Sequence, residues 1–267
     1  MSIPGYDEFE LDVEKVLREQ LPPFFSDLEA AKLTLEKIHH LPSQTKGAYL
    51  LIQDGVEVYA GKTDAKHGFR DRLERHFYSI QHRINLDPKK VSFKAVRIFV
   101  FAALDVESIL IQELKNRTDG SLAWNFSGFG SNDPGRKREG QEPAAFDLQH
   151  PIDVTRPLPF MEAREYTIHE ALQVMKQGLP YLLRCQTSGG RRSRAGHDEY
   201  HESTVNFPGK EMCALDVMIR IVNAFPDDSW QATVFPSRII LYKSKHDYEF
   251  ATYIIRKNEV IKQNPGN

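Results

Sequence analysis

Cysteine is scarce: the 267 residues hold two, Cys185 just after an apolar stretch and Cys213 within one. Neither has the CxxC spacing of a zinc site, so both are read as structural thiols rather than as a metal pair or a disulfide. Long apolar runs are missing as well. None reaches the roughly 18 to 20 residues that a membrane span requires, so no membrane partner is expected. The opening residues, MSIPGYDEFELD, lack the basic and apolar regions of a signal peptide, and the expected compartment is cytoplasmic. An excess of one charge is also absent, since the formal net charge is -2, which argues against a general nucleic-acid binder. No internal repeat is visible.

What is present is ordinary in bulk and uneven in detail. Hydrophobic residues at 40% and charged residues at 27% suit a globular chain of one large or two modest domains. Residues 1–40 carry nine acids against four bases, whereas residues 62–97 carry ten Lys or Arg against four acids. The basic stretch could dock a phosphate backbone, because DNA affinity is largely electrostatic, or it could be a solvated helix face.

Hydrophobic spacing predicts the elements. Phe9, Val13, Val16, Leu17 and Leu21 recur at helical spacing up to Pro22 and Pro23, where the helix is expected to end. A second helix is expected from Ser26 as N-cap, with Leu28, Leu33, Leu35 and Ile38 as its apolar residues. GAYLLIQDGVEVYAGKT places two apolar runs around Asp54-Gly55, which predicts an antiparallel hairpin of 47–52 and 56–60. Phe69, Leu73, Phe77 and Ile80 fall on one side of a helix, with Arg72 and His76 together on another. VSFKAVRIFVFAAL reads as a buried strand, and Asp105 as the N-cap of a helix over VESILIQELKNR. Residues 118–158, rich in Gly, Asn, Pro and charge, read as a long functional loop. Beyond 158, helices are expected in YTIHEALQVMKQ and GKEMCALDVMIRIVNAF, and strands around QATVF, RIILYK and EFATYIIRK.

Several of these features fall into one order: Gly47-Ala48-Tyr49, Tyr59-Ala60-Gly61-Lys62, Arg72 and His76 at Arg-x3-His spacing, Glu107 opening a helix, then Asn125. This order resembles the GIY-YIG nuclease superfamily. Trp124 to Gln141, WNFSGFGSNDPGRKREGQ, resembles the loop that follows the terminal Asn in its type II restriction endonuclease branch. The resemblance covers about residues 45–150. It implies an α+β fold with a small, mostly antiparallel sheet flanked by helices, joined here by a C-terminal α+β unit. The expected domains are 1–44, a helical segment; 45–158, the nuclease domain with its DNA-contacting loop; and 159–267, an α+β unit of unknown role.

The chemistry implied is phosphodiester hydrolysis, which needs an activated water, a cation against charge growing on the phosphate, and help for the leaving oxygen. By the resemblance, Glu107 is the protein ligand of one Mg2+, with Mn2+ as a substitute, the other positions being filled by water and phosphate. Tyr49 would accept the proton of the attacking water, aided by Lys62, whose charge favours phenolate. Arg72 would hold the scissile phosphate with its planar fork. His76 would hydrogen-bond near the nucleophile, Tyr59 would shape the pocket, and Asn125 would fix the site from below. Each residue alone has a plainer reading: strand tyrosines are usually core, and a Glu in a helix's first turn simply favours the dipole. The order of the set is what favours function.

The sequence also departs from the family pattern. The middle residue of each paired motif is alanine here, Ala48 and Ala60, so a larger side chain such as Phe69 or Phe77 is expected to fill the vacated volume. Seventeen residues separate Glu107 from Asn125, a stretched spacing that leaves Glu113 as the alternative ligand. The helical pattern of acid followed by Leu110, Ile111 and Leu114 favours Glu107. The expected function is Mg2+-dependent cutting of a short double-stranded DNA sequence, restriction-type and defensive against phage, by a homodimer on DNA. Arg136, Lys137 and Arg138 are the candidate DNA contacts. The rivals are a structure-specific repair or mobile-element nuclease and a non-catalytic DNA-binding subunit. HDEYHE sets His197 and His201 at helical spacing, as a metal pair or as an ordinary polar loop. Arg191, Arg192 and Arg194 could track a phosphate backbone or lie in a solvated loop.

Overall fold

The computed structural model describes residue 4 and residues 12–64, 66–99, 106–117, 122–130, 139–188, 196–209 and 211–264. The fold is α+β, and the chain divides into two compact units. One takes in the described residues of Met1–Phe77 and Asp87–Phe126. The other takes in Tyr78–Leu86 and those of Ser127–Asn267, so that the described residues of 127–158 cluster with the C-terminal elements. Among the described residues no helix is long and apolar enough to cross a membrane.

The N-terminal unit begins with α1 (Val13–Asp27), capped by Asp12, whose carboxylate accepts from the Lys15 N–H at 2.8 Å. This helix runs through Pro22 and Pro23 instead of stopping at them, and no helix starts at Ser26. Interior prolines cost a helix roughly 3 kcal/mol each. Here continuation brings Phe25, fully buried, onto the same core as Leu21. Ser26 lies within that helix, and its Oγ donates to the Pro22 carbonyl at 3.0 Å. A two-residue strand β1 (Ala31–Lys32) and a short α2 (Leu35–His39), capped by Thr34, occupy the place of the expected second helix.

The hairpin forms as its turn residues dictate. β2 (Gly47–Gln53) and β3 (Val56–Thr63) are joined by Asp54 and Gly55, both at positive φ, 51° and 85°. Then come α3 (Phe69–Gln81), β4 (Val91–Arg97) and α4 (Val106–Arg117). The sheet order is β1-β4-β2-β3, antiparallel throughout, which leaves β2 central. β4 ends at Arg97, while Asp105 and residues 100–104 of the expected apolar strand lie outside the described residues.

Both faces of β2 are covered, and alternation decides which side chain meets which layer. Ala48, Leu50, Ala60 and Val96 pack with Leu21 and Phe25 of α1 and with Leu110, Ile111 and Leu114 of α4. Helices α1 and α4 therefore fill the space above the two alanines, a correction to the expectation of Phe69 or Phe77. Phe69 lies on the other face, where a Cβ on Gly47 would stand 2.6 Å from its ring. Small residues in the strands let the helices approach the sheet closely.

The C-terminal unit contains α5 (Ala145–Gln149), β5 (Arg164–Thr167), α6 (Ile168–Gly178), β6 (Leu182–Cys185), α7 (Glu199–Glu202), β7 (Thr204–Phe207), α8 (Ala214–Ala224), β8 (Gln231–Val234), β9 (Arg238–Tyr242), β10 (Tyr253–Arg256) and β11 (Glu259–Lys262). The helix α5 lies within the stretch expected to be loop. Five strands form one sheet in the order β11-β10-β8-β9-β6, with β6 parallel to β9 and the other pairs antiparallel. Strands β5 and β7 pair separately. The amphipathic faces of α6 and α8 pack on the sheet around a fully buried Trp230. Both helices start with a reciprocal cap, Thr167 with Glu170 and Cys213 with Asp216.

Candidate active site

The site grows from the strand pairing. Tyr49 on β2 stands directly opposite Gly61 on β3, and Leu51 opposite Tyr59, so both tyrosines share one face of the sheet. A register shift beside Leu51 and Ile52 sets this phase on β3. Gly61 is required by the pairing: a Cβ there would come within 2.5 Å of the Tyr49 ring and hydroxyl and 2.9 Å of Tyr59. The missing side chain leaves room for the Tyr49 ring to lie over its partner strand.

α3 supplies the next layer. Phe69, Leu73 and His76 are all buried, at 2%, 0% and 5% exposure, so His76 belongs to the face that meets the sheet. Its place is not apart from the apolar side, as the spacing suggested, because the sheet presents it with a polar partner. The Tyr49 hydroxyl and His76 Nε2 are 2.8 Å apart. Tyr59 completes a triangle of rings, 6.1 Å from Tyr49 and 5.2 Å edge-on from His76 by centroid. Burial, with Arg75 and Arg72 nearby, lowers the His76 pKa from 6.5 to about 3, so the imidazole is neutral at physiological pH.

The same burial raises the Tyr49 pKa well above 10.0, with Tyr59 and Glu107 adding to the rise and Arg72 opposing it. Tyr59 is raised too, by desolvation and then by Glu107. Lys62 Nζ lies 3.8 Å from a Glu107 carboxylate oxygen, and Arg72 is a cation whose charge lowers the Tyr49 pKa. Arg72 is half-exposed and pairs through Nη2 with Asp64 at 3.7 Å, while its buried Nε has no hydrogen-bond partner among the described residues. Asp64 is fixed by the N–H groups of Lys66 and His67, both at 2.7 Å. Those hydrogen bonds hold its carboxyl below the usual range.

The two acids of α4 have different surroundings. Glu107, in the first turn, lies 3.8 Å from Lys62 Nζ, and its charge raises the pKa of both tyrosines. Glu113 pairs with Arg18 of α1 at 3.3 Å, between the two helices. Asn125 makes two bonds to one residue: its Oδ1 accepts from the Ala60 N–H at 2.8 Å and its Nδ2 donates to the Ala60 carbonyl at 2.9 Å. Beside it the Trp124 N–H donates to the Val58 carbonyl at 2.9 Å. Residues 124 and 125 thus line the outer edge of β3.

Tyr49, Tyr59, Lys62, Arg72, His76, Glu107 and Asn125 are therefore gathered around one end of the β2–β3 pair, from five separate stretches of chain. Arg136, Lys137 and Arg138 lie outside the described residues, as do Arg191, Arg192 and Arg194. Sequence reasoning missed the demand for glycine at 61 and the roles of Asp64 and Arg75. A glycine inside a strand pattern does signal a close approach, but nothing local tells which side chain approaches. Among the described residues no group of three or more His, Cys, Asp or Glu could hold a metal ion. In the other unit His197 and His201 have separate partners: His197 meets Trp230 edge-on at 5.0 Å, and His201 stacks on His169 at 4.2 Å. Compared with protein-family profiles and with curated proteins, the chain matches none.

Proposed function

We propose that this protein is a Mg2+-dependent endonuclease of the GIY-YIG type that cuts duplex DNA at a short fixed sequence, as restriction enzymes do. The observation that carries the reading is the 2.8 Å contact between the Tyr49 hydroxyl and His76 Nε2, with Arg72 and Glu107 acting electrostatically on the same tyrosine. A buried Tyr–His pair can be no more than a satisfied core contact. What favours chemistry here is its company: an arginine with an unused buried donor and a carboxylate at one rim.

In this reading Arg72 holds the scissile phosphate, offering the Nε that has no partner among the described residues. Tyr49 takes a proton from the attacking water as its own proton passes to His76 Nε2. A low imidazole pKa opposes that transfer, and the bound phosphate's negative charge offsets it. The donor set suits Mg2+, which keeps several waters and is commonly held by one or two carboxylates plus substrate phosphate. Glu107 is that carboxylate, and Lys62 would leave it as the ion binds. Mg2+, when bound, supplies charge neutralisation to the leaving group.

The test is digestion of methylation-free plasmid with Mg2+ and sequencing of the ends. A single recurrent sequence at the ends is expected, and Tyr49→Phe should lower the rate at least a hundredfold, in the range removed with a general base, while DNA affinity persists. Random nicks or a preference for branched DNA would rule out the restriction reading, and a near-normal rate in the variant would rule out Tyr49 as base.

A further inference from the structure

Phe126 is the most exposed of the large apolar side chains among the described residues, at 83%. Its φ of 60° lies in the left-handed region that bulky residues rarely adopt. The exposure does not come from a loose end, because the residue before it is tied at two points to Ala60 and Trp124 is buried at 4%. Backbone held in so unfavourable a region, with its side chain sent into solvent, is a feature that packing alone does not call for.

What surrounds the ring narrows the occupant. Lys115 Nζ lies 4.8 Å from the ring centroid, so an aromatic face and an ammonium are offered together. Leu122, Trp124 and Phe129 are all buried, and no second large apolar side chain from 122–130 joins Phe126 at the surface. A protein partner's apolar patch would want a broader apolar surface. A nucleotide, with a flat base and an anionic phosphate, matches one ring beside one cation. Lys115 follows Glu107 by eight residues of α4, about 12 Å at 1.5 Å per residue. At 3.4 Å per base step that is about three to four steps of duplex.

We propose that Phe126 stacks on a nucleobase of the DNA held at the Tyr49 site, some three to four steps from the phosphate being cut, with Lys115 on the adjoining backbone. The inference rests on the nuclease reading of that site. Base stacking on a protein aromatic is sequence-tolerant, so the contact grips and distorts the duplex without itself selecting a sequence.

Phe126→Trp provides the probe. The native Trp124 and Trp230 are buried, at 4% and 0%, so the added indole is the one iodide reaches. With sheared plasmid duplex in EDTA, the added emission should fall at least twofold and lose its iodide accessibility. Phe126→Ala should bind the same duplex about tenfold more weakly than the wild type, within the range for loss of one stacked base. Unchanged emission and iodide access, with a duplex that the wild type binds and cuts in Mg2+, would overturn the stacking and leave the nuclease reading standing. Emission per chain and iodide access that fall as protein concentration rises without DNA would mean that a second copy covers Phe126, and would also overturn it. A wild type that neither binds nor cuts duplex would remove both.

Discussion

His76 shows how one buried side chain couples fold and chemistry. Its pKa is near 3 in the folded protein against an ordinary 6.5, so between those values the unfolded chain binds the extra proton. Stability therefore rises with pH across that window and is lost as pH falls through it, with a slope approaching about 1.4 kcal/mol per pH unit. Urea titrations at pH 7 and pH 5 should show the wild type losing about 2 kcal/mol more than His76→Gln, which has no such proton to take up. Equal losses would mean that His76 is not buried as described. Gly61 is the second informative residue. Gly61→Ala should destabilise by about 1–3 kcal/mol through overpacking against the Tyr49 ring, and should lower activity by breaking the Tyr49–His76 contact. Thermal denaturation and a cleavage assay on one preparation would check both effects.

At the scale of elements, α4 presents two acids to two different places. Glu107→Gln should abolish Mg2+-dependent cutting and leave DNA binding. Glu113→Gln should stay active and cost at most about 1 kcal/mol, the worth of a part-exposed pair with Arg18. The reverse result in cleavage assays would move the metal to Glu113. That the two acids point to different places was legible in the sequence, because Leu110, Ile111 and Leu114, which are buried, fix the helix's inward face. The hairpin was legible through Asp54-Gly55, and α6, α8, β8, β9 and β10 through their periodicity. The course of α1 was not, since two prolines speak for a break and only the tertiary burial of Phe25 overrides them. β1 has only two residues, too few to carry a period, and β11 has no fully buried residue to mark an inward face. Within the site, residue identities could be read in order, but the sheet-facing side of His76 and the pairing of Lys62 depend on partners distant in sequence.

At the scale of the molecule, the nuclease proposal gives each chain one Tyr49 site, which would attack one strand at a time. Cutting both strands symmetrically therefore requires two copies on the DNA, most simply a two-fold dimer on a palindromic site. Sedimentation of the protein with duplex in EDTA should show two chains per DNA. One chain per DNA, with both strands still cut in a single binding event, would refute the arrangement.

The edge of β3 carries a consequence for solubility. In the order β1-β4-β2-β3 the hairpin's second strand is terminal, and a terminal strand offers unpaired N–H and C=O groups to any strand that passes. Asn125 occupies both groups of Ala60 and Trp124 takes the carbonyl of Val58, so two residues stand in for a neighbouring strand at the middle of that edge. Asn125→Ala should then do more than lose about 2 kcal/mol of hydrogen bonding. It should open a template for intermolecular β-pairing, seen as light scattering that grows with protein concentration and as thioflavin binding at temperatures where the wild type stays clear.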